Sequence, residues 1–327
     1  MTLPAFDNLT LTQTAAYLGG AVAMGFGAIG AATGEGYTAS KASEAIARNR
    51  DHAGDIIKNM LVGQAISESA SIFSLVIAIL LLFMDIPDPG IVKAASLLGA
   101  GLCMGFGAIG SGVGAGVPAG RSCLAISRQP AIAGRITTNM LIGTAVCQTP
   151  AIFAMVVSLI LLFKPTAGVA AFPTAAALIG AGLSTGLAAI GSGYGGGMAA
   201  GASCEGVARQ PETTTTVTTT MLVGQAVAQT PSVFGLLISF ILMFRTFPAS
   251  STLSASVGLF SAGLCMGLGG IGPGIGNGAT AEGAVRWVAR RVEYAGDLMR
   301  IMLVGQAVSQ STAIYAMVVS LALIFVV

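Results

Sequence analysis

The sequence has 327 residues and a net charge of +2, with 9% charged side chains against 54% apolar ones. A soluble chain carries roughly 25% charged residues, so the composition excludes a water-soluble domain and indicates the membrane class. One His, one Trp and no basic patch interleaved with aromatics exclude a histidine-based metal centre and a nucleic-acid surface.

From the N-terminus, residues 1–12 lack the basic segment of a cleaved signal peptide, so the first apolar stretch reads as a retained helix. That helix carries the glycine-rich string GFGAIGAATGEG (25–36). A polar turn around Arg48 follows, then a Leu/Ile/Val-rich helix opening on MLVGQAISES (60–69). The connector MDIPDPG (84–90) ends the unit, its prolines marking a helix end.

The same order then returns. The glycine string recurs as GFGAIGSGVGAG (105–116), GLAAIGSGYGGG (186–197) and GLGGIGPGIGNG (267–278). The second string recurs as MLIGTAVCQT (140–149), MLVGQAVAQT (221–230) and MLVGQAVSQS (302–311), and Arg128, Arg209 and Arg290 stand in the intervening turns. Connectors follow at 163–168 and 244–251. Four tandem repeats are therefore expected, with hairpins over 1–86, 87–166, 167–248 and 249–327. The repeats run parallel to one another, and each would pair two continuous helices of roughly 33–37 residues, about 50 Å at 1.5 Å per residue and longer than the hydrocarbon layer. The fold class is an all-α membrane protein of eight transmembrane helices.

Of the fifteen Lys and Arg, all but Lys93, Lys164 and Arg245 lie on the side of the polar turns. The positive-inside rule then places the turns in the cytoplasm and both termini outside, in a cell membrane.

GFGAIG and GLGGIG match a dinucleotide fingerprint, but that motif needs a preceding strand and here sits inside a long apolar helix. Small residues every second to fourth position instead let helix backbones approach closely in lipid. A helix that is small on nearly every side suits the crowded inner circle of a ring, with the bulkier helix outside it. The five cysteines show no CxxC or Cys/His spacing and read as small packing residues.

Eleven of the thirteen acidic residues fall at turns, connectors or helix ends; only Glu35 and Glu68 fall deep in spanning helices. A charge at that depth is expensive and marks an ion path or proton relay. Measured from the first turn, both lie at a similar depth, about 20–27 Å at 1.5 Å per residue. Two carboxyls in one pocket resist joint ionisation, so one is expected to hold a proton while the other carries charge. A bound Na+ would balance that charge with hard oxygen ligands, with the Ser67 and Ser69 hydroxyls and a carbonyl near Ile66 as candidates. A bound proton is the simpler alternative. Mere bridging between helices would be served more cheaply by Gln. In the other repeats the place of Glu68 is taken by Gln148, Gln229 and Gln310, and that of Glu35 by Ala115, Gly196 and Asn277. Gln keeps the shape of Glu and loses the charge, leaving one titrating site per eight helices.

These residues carry a resemblance. The turns SRQP (127–130) and ARQP (208–211), the glycine-rich helices and the carboxylate string GQAISESASIF (63–73) make the chain similar to the c-type proteolipid of the rotor ring in rotary ATPases and ATP synthases, over about residues 10–327. The resemblance implies a two-layer homo-oligomeric ring that turns against a stator protein bearing an Arg, bound to central-stalk proteins and lipid. It implies a non-catalytic component that carries Na+ or H+ with no cofactor. By position, Glu68 matches the ion-carrying carboxylate and Ser69 the hydroxyl beside it in sodium-type members. Glu35 stands where a Gln is frequent and resembles a two-carboxylate Na+ motif. Phe73 replaces the usual Tyr. Such sites are assembled between neighbouring hairpins. One carboxylate per four hairpins implies a low ion-to-ATP ratio and a bias toward pumping. The competing reading is a non-rotary transporter or channel built from repeats, which would show inverted or broken helices.

Overall fold

The computed structural model describes residues 7–248 and 253–326. Residues 1–6, part of the segment expected to lack a leader, residues 249–252 in and just after the last connector, and the terminal Val327 lie outside the described residues. The described chain holds helices and turns and no strand.

The first hairpin pairs α1 (Asn8–Arg48) with α2 (Ala53–Phe83). Asp7 caps α1 by accepting from the Thr10 N–H at 2.8 Å, which holds its carboxyl below the usual carboxylate range. The second pairs α3 (Ile91–Arg128) with α4 (Ala133–Cys147) and α5 (Thr149–Phe163). The third pairs α6 (Ala171–Arg209) with α7 (Thr214–Ala228) and α8 (Thr230–Phe244). The fourth pairs α9 (Leu253–Val288) with α10 (Ala295–Val326). A single 3-10 turn, such as Pro130–Ile132, links the two legs of each hairpin. Among the described residues eight units are long and apolar enough to cross a membrane once α4–α5 and α7–α8 are each counted as one span.

That grouping corrects the expectation of continuous helices. The outer leg breaks at Gln148 in the second hairpin and at Gln229 in the third. Pro150 and Pro231 cause the breaks, because proline lacks the N–H that would bond four residues back and its ring crowds that carbonyl. The first and fourth hairpins carry Ala70 and Thr312 at these places, and α2 and α10 run unbroken.

The four glycine-rich helices pack side by side in the order α1, α3, α6, α9 and form the inner layer of an arc. Each of the first three outer legs lies in the groove between its own inner helix and the next: α2 on α1 and α3, α4–α5 on α3 and α6, α7–α8 on α6 and α9. Glycine makes this spacing possible. A Cβ on Gly193 would lie 2.5 Å from the Gly110 carbonyl carbon, and one on Gly274 2.5 Å from the Ser192 nitrogen, closer than any real side chain tolerates. In lipid there is no hydrophobic drive between helices, so this close backbone packing holds them together along with interhelical hydrogen bonds.

The arc is tied across its span. Arg121 of α3 reaches over α6 to Glu282 of α9 at 2.7 Å, and Arg286 meets the same carboxylate. The guanidinium passes where Gly201 leaves room, since a Cβ there would sit 2.6 Å from Arg121 Cδ. At the other end, an apolar groove of about 630 Å³ between the four inner helices is lined by Leu11, Leu18, Leu98 and Ile179.

Burial falls off from the middle of the arc to its ends. The most apolar windows of α3 and α6 are 78% and 83% buried, those of α1 and α9 only 39% and 33%. Among the described residues α10 packs mainly on α9, and no inner helix follows it. The arc therefore ends in two open edges, α1 with α2 on one side and α9 with α10 on the other.

Candidate ion-binding site at the hairpin joints

The buried apolar side chains form two clusters. One, with Ala23, Ala108 and Ala154, lies toward the termini; the other, with Ala119, Met140 and Cys204, lies toward the turns. Glu35, Glu68, Gln148, Gln229 and Gln310 stand at the level between them. Four of the five free cysteines are buried among these apolar groups and pack as such. Among the described residues no group of three or more His, Cys, Asp and Glu comes together.

What happens at this level is clearest at the internal joints. Gln148 Nε2 donates to the Ile66 carbonyl of the first hairpin at 2.9 Å. Gln229 Nε2 donates to the Val146 carbonyl of the second at 2.6 Å. In the fourth hairpin, Asn277 Nδ2 donates to Gln310 Oε1 at 2.7 Å and toward the Val227 carbonyl of the third at 3.4 Å. Residues 66, 146 and 227 are the same position of successive repeats, two before the Glu or Gln. Each joint thus offers one backbone carbonyl from the preceding hairpin, and an amide N–H of the following hairpin fills it. Each internal joint is thus closed by a neutral amide. The two prolines assist, because Pro150 and Pro231 leave the Val146 and Val227 carbonyls without their helical donors.

A second tie runs beside the first. Gln225 Nε2 bridges the Gly143 and Gly196 carbonyls, each at 3.0 Å, and Gln306 Nε2 bridges Gly224 at 2.9 Å and Asn277 at 3.0 Å. Gln64 makes only half of this bridge, to the Glu35 carbonyl at 3.2 Å. Nearer the turns, Thr137 donates to Asn59 and Thr218 to Asn139 at 2.8 and 2.7 Å. None of these ties stands out in the sequence, because each depends on packing against the hairpin next door.

The first hairpin carries the carboxylates at its open edge. Glu68 lies midway along α2 and is exposed; Glu35 on α1 is half-buried, and the two are near enough to interact as charges. The Ser69 hydroxyl donates to its own Ile66 carbonyl at 2.6 Å. Ile66 faces the joint with the second hairpin, where Gln148 uses its carbonyl. Ser67 is fully buried with its hydroxyl unpaired, turned to Gly34 of α1. Phe73 packs against the terminus-side cluster. So Glu35, Glu68 and Ser69 lie at one edge, whereas Ile66 serves the next joint and Ser67 points inward.

The sequence profile of the ATP synthase c-subunit family matches at 18–81, 98–161, 179–242 and 260–323. The chain is similar to the ATP synthase c-subunit of Petrotoga mobilis, 46% identical over 74 residues, which is 23% of this chain and 77% of that protein. It is 46% identical over 78 residues to that of Natranaerobius thermophilus, 24% of this chain and 90% of that protein. It is 50% identical over 73 residues to that of Alkaliphilus oremlandii, 22% of this chain and 82% of that protein. Each relative thus spans about one hairpin of this arc. With four matched segments and eight membrane-spanning units, this multi-pass membrane protein belongs to the ATP synthase c-subunit family, four of whose hairpins are joined in one polypeptide.

Proposed function

We propose that Glu68 is the single ion-carrying group of this rotor protein, and that its site is completed by the fourth hairpin of another copy. The carrying observation is the donor–acceptor pattern repeated at the three internal joints, which the first hairpin alone lacks. Moving that pattern back by one repeat puts the Val308 carbonyl of a second copy opposite Glu68, and its Gly305 carbonyl opposite the free half of Gln64. Copies joined edge to edge in this way close into a ring. The open edges α1–α2 and α9–α10 supply both faces of that joint. Lipid acyl chains suit the groove beside Leu11 and Leu98.

Sodium is the ion this chemistry favours. Two carboxyls, the Ser69 hydroxyl and a backbone carbonyl are hard oxygen donors of the kind that hold a small cation. Glu35 shares the pocket as a protonated carboxyl, hydrogen-bonded to the ionised Glu68. With the cation bound the site is neutral and passes through lipid; facing an Arg of the stator, Glu68 releases its ion to water. The turns face the cytoplasm and the central stalk, and the termini face outward.

Three silent joints set the gearing. Gln148, Gln229 and Gln310 cross the lipid neutral at every step and carry nothing, so each copy moves one ion. One charge crossing 100 mV is worth about 2.3 kcal/mol. Fewer ions per ATP leave more hydrolysis energy for each, which favours pumping against a steep gradient over synthesis. Broken outer helices also occur in repeat-built transporters, but here they fall at Gln148 and Gln229, away from the carboxylates. The test is ATP-driven uptake of radioactive sodium by vesicles holding the intact complex. Glu68→Gln is expected to abolish uptake with the ring still assembled; uptake that persists would end this assignment.

A further inference from the structure

The three silent joints are not silent in the same way, and we infer that the joint between the third and fourth hairpins is a second cation site that lacks only its charge. This rests on the reading of Glu68 given above, because Glu68 supplies the pattern for a working site.

At the first internal joint the inner helix offers Ala115, and at the second Gly196, so neither contributes a side-chain oxygen. The outer leg of the second hairpin is broken beside Gln148 and that of the third beside Gln229, and each of these amides donates straight to the preceding carbonyl. A carboxylate placed at 148 or 229 would meet one carbonyl and nothing from the inner helix.

The third joint differs in its outer leg and in its inner-helix side chain. Its outer leg, α10, is continuous, as α2 is. Ser311 donates to the Val308 carbonyl at 2.7 Å, repeating the Ser69 to Ile66 contact. Asn277 stands where Glu35 stands and is fully buried, with Oδ1 unpaired. Its Nδ2 lies between Gln310 Oε1 and the Val227 carbonyl, and Pro231 has removed that carbonyl's helical donor. Rotating the Asn277 amide by half a turn replaces this central N–H donor with Oδ1. Three oxygens then converge: Asn277 Oδ1, Gln310 Oε1 and the Val227 carbonyl. Hard oxygens at one point suit a monovalent cation such as Na+. A cation held there by neutral groups alone would carry a net charge into lipid, which is costly. Gln310→Glu would supply the missing negative charge without changing shape.

The experiment labels carboxyls with a hydrophobic carbodiimide in the intact ATPase complex, with and without NaCl, and maps the adducts by mass spectrometry. Glu68 in the same chain is the internal standard. In Gln310→Glu the new carboxyl is expected to gain a second adduct per chain, suppressed by NaCl in parallel with that on Glu68. In Gln148→Glu and Gln229→Glu the new carboxyl should be labelled without NaCl protection. Adding Asn277→Ala to Gln310→Glu should remove the protection at 310 and leave it at Glu68. Asn277→Asp supplies the charge from the inner helix and is the second route if Gln310→Glu fails to assemble. Protection at Glu68 but not at the carboxyl introduced at 310 or 277 overturns the inference, as does equal protection at 148 or 229, or failure of both charged variants to assemble. Loss of protection at Glu68 itself overturns the functional reading and this inference with it.

Discussion

At the scale of single residues, the chemistry comes down to which side chain at the joint carries a charge. Glu and Gln have nearly one shape, yet a Gln amide fills the neighbouring carbonyl by itself, whereas a Glu needs a proton or a cation to do so. Ser69→Ala should leave the ring intact and weaken sodium protection of Glu68, since it removes one hard oxygen from the proposed cation site. Glu35→Gln should retain sodium-coupled uptake, because an amide can donate to Glu68 as a protonated carboxyl does. If uptake into vesicles is lost as completely as in Glu68→Gln, the two carboxyls carry the ion jointly. The Gln replacements of Glu68 are legible in the sequence, because they follow from aligning the chain with itself. The bridges of Gln225 and Gln306 are not, since their acceptors are backbone atoms that only packing brings near. Ile66 is readable as an oxygen donor, but the hairpin that uses it is not.

At the scale of helices, glycine spacing and proline placement decide how the legs meet. Gly193→Ala puts a methyl against the backbone of Gly110, with no flexible side chain to yield. Overpacking of this kind costs typically about 1–3 kcal/mol, so the purified assembly should dissociate at a lower temperature in a thermal melt. Gly134→Ala meets no neighbour in the first turn of α4 and should be neutral or stabilising by about 0.5–1 kcal/mol. Equal melting of the two variants would contradict the close-packed inner layer. The glycine strings announce that layer in the sequence through their spacing and their fourfold return. The breaks at Gln148 and Gln229 escape notice there although Thr-Pro follows at both places, because the apolar run continues on either side and hides the interruption.

At the scale of the whole molecule, the arc has two open edges, and in the proposed ring these repeat its internal joints. Gly34 abuts Gly116, and Gly195 abuts Gly278. The same step carried forward brings Gly276 against Gly36 of a second copy, and Gly36 has open space beside it. Thr137 touches Asn59 and Thr218 touches Asn139, side chain to side chain, across successive joints, so Ile57→Cys combined with Ile301→Cys, the same two positions at the open edges, is expected to give a ladder of disulfide-linked copies on non-reducing gels. Either cysteine alone should give none, and a doubly substituted chain that stays monomeric would mean the edges meet something else. The hairpin count and two-layer plan are legible in repeat periodicity; the groove each outer leg occupies is not, because periodicity does not say on which side of an inner helix its partner lies. The gearing and the inter-copy site both depend on one ion-carrying carboxyl per chain. The direct measurement is the mass of the unaltered chain after carbodiimide treatment of the intact complex. A single adduct on Glu68, held off by NaCl, is the predicted result; an unmodified Glu68, or an adduct that NaCl leaves untouched, would contradict sodium carriage at this residue.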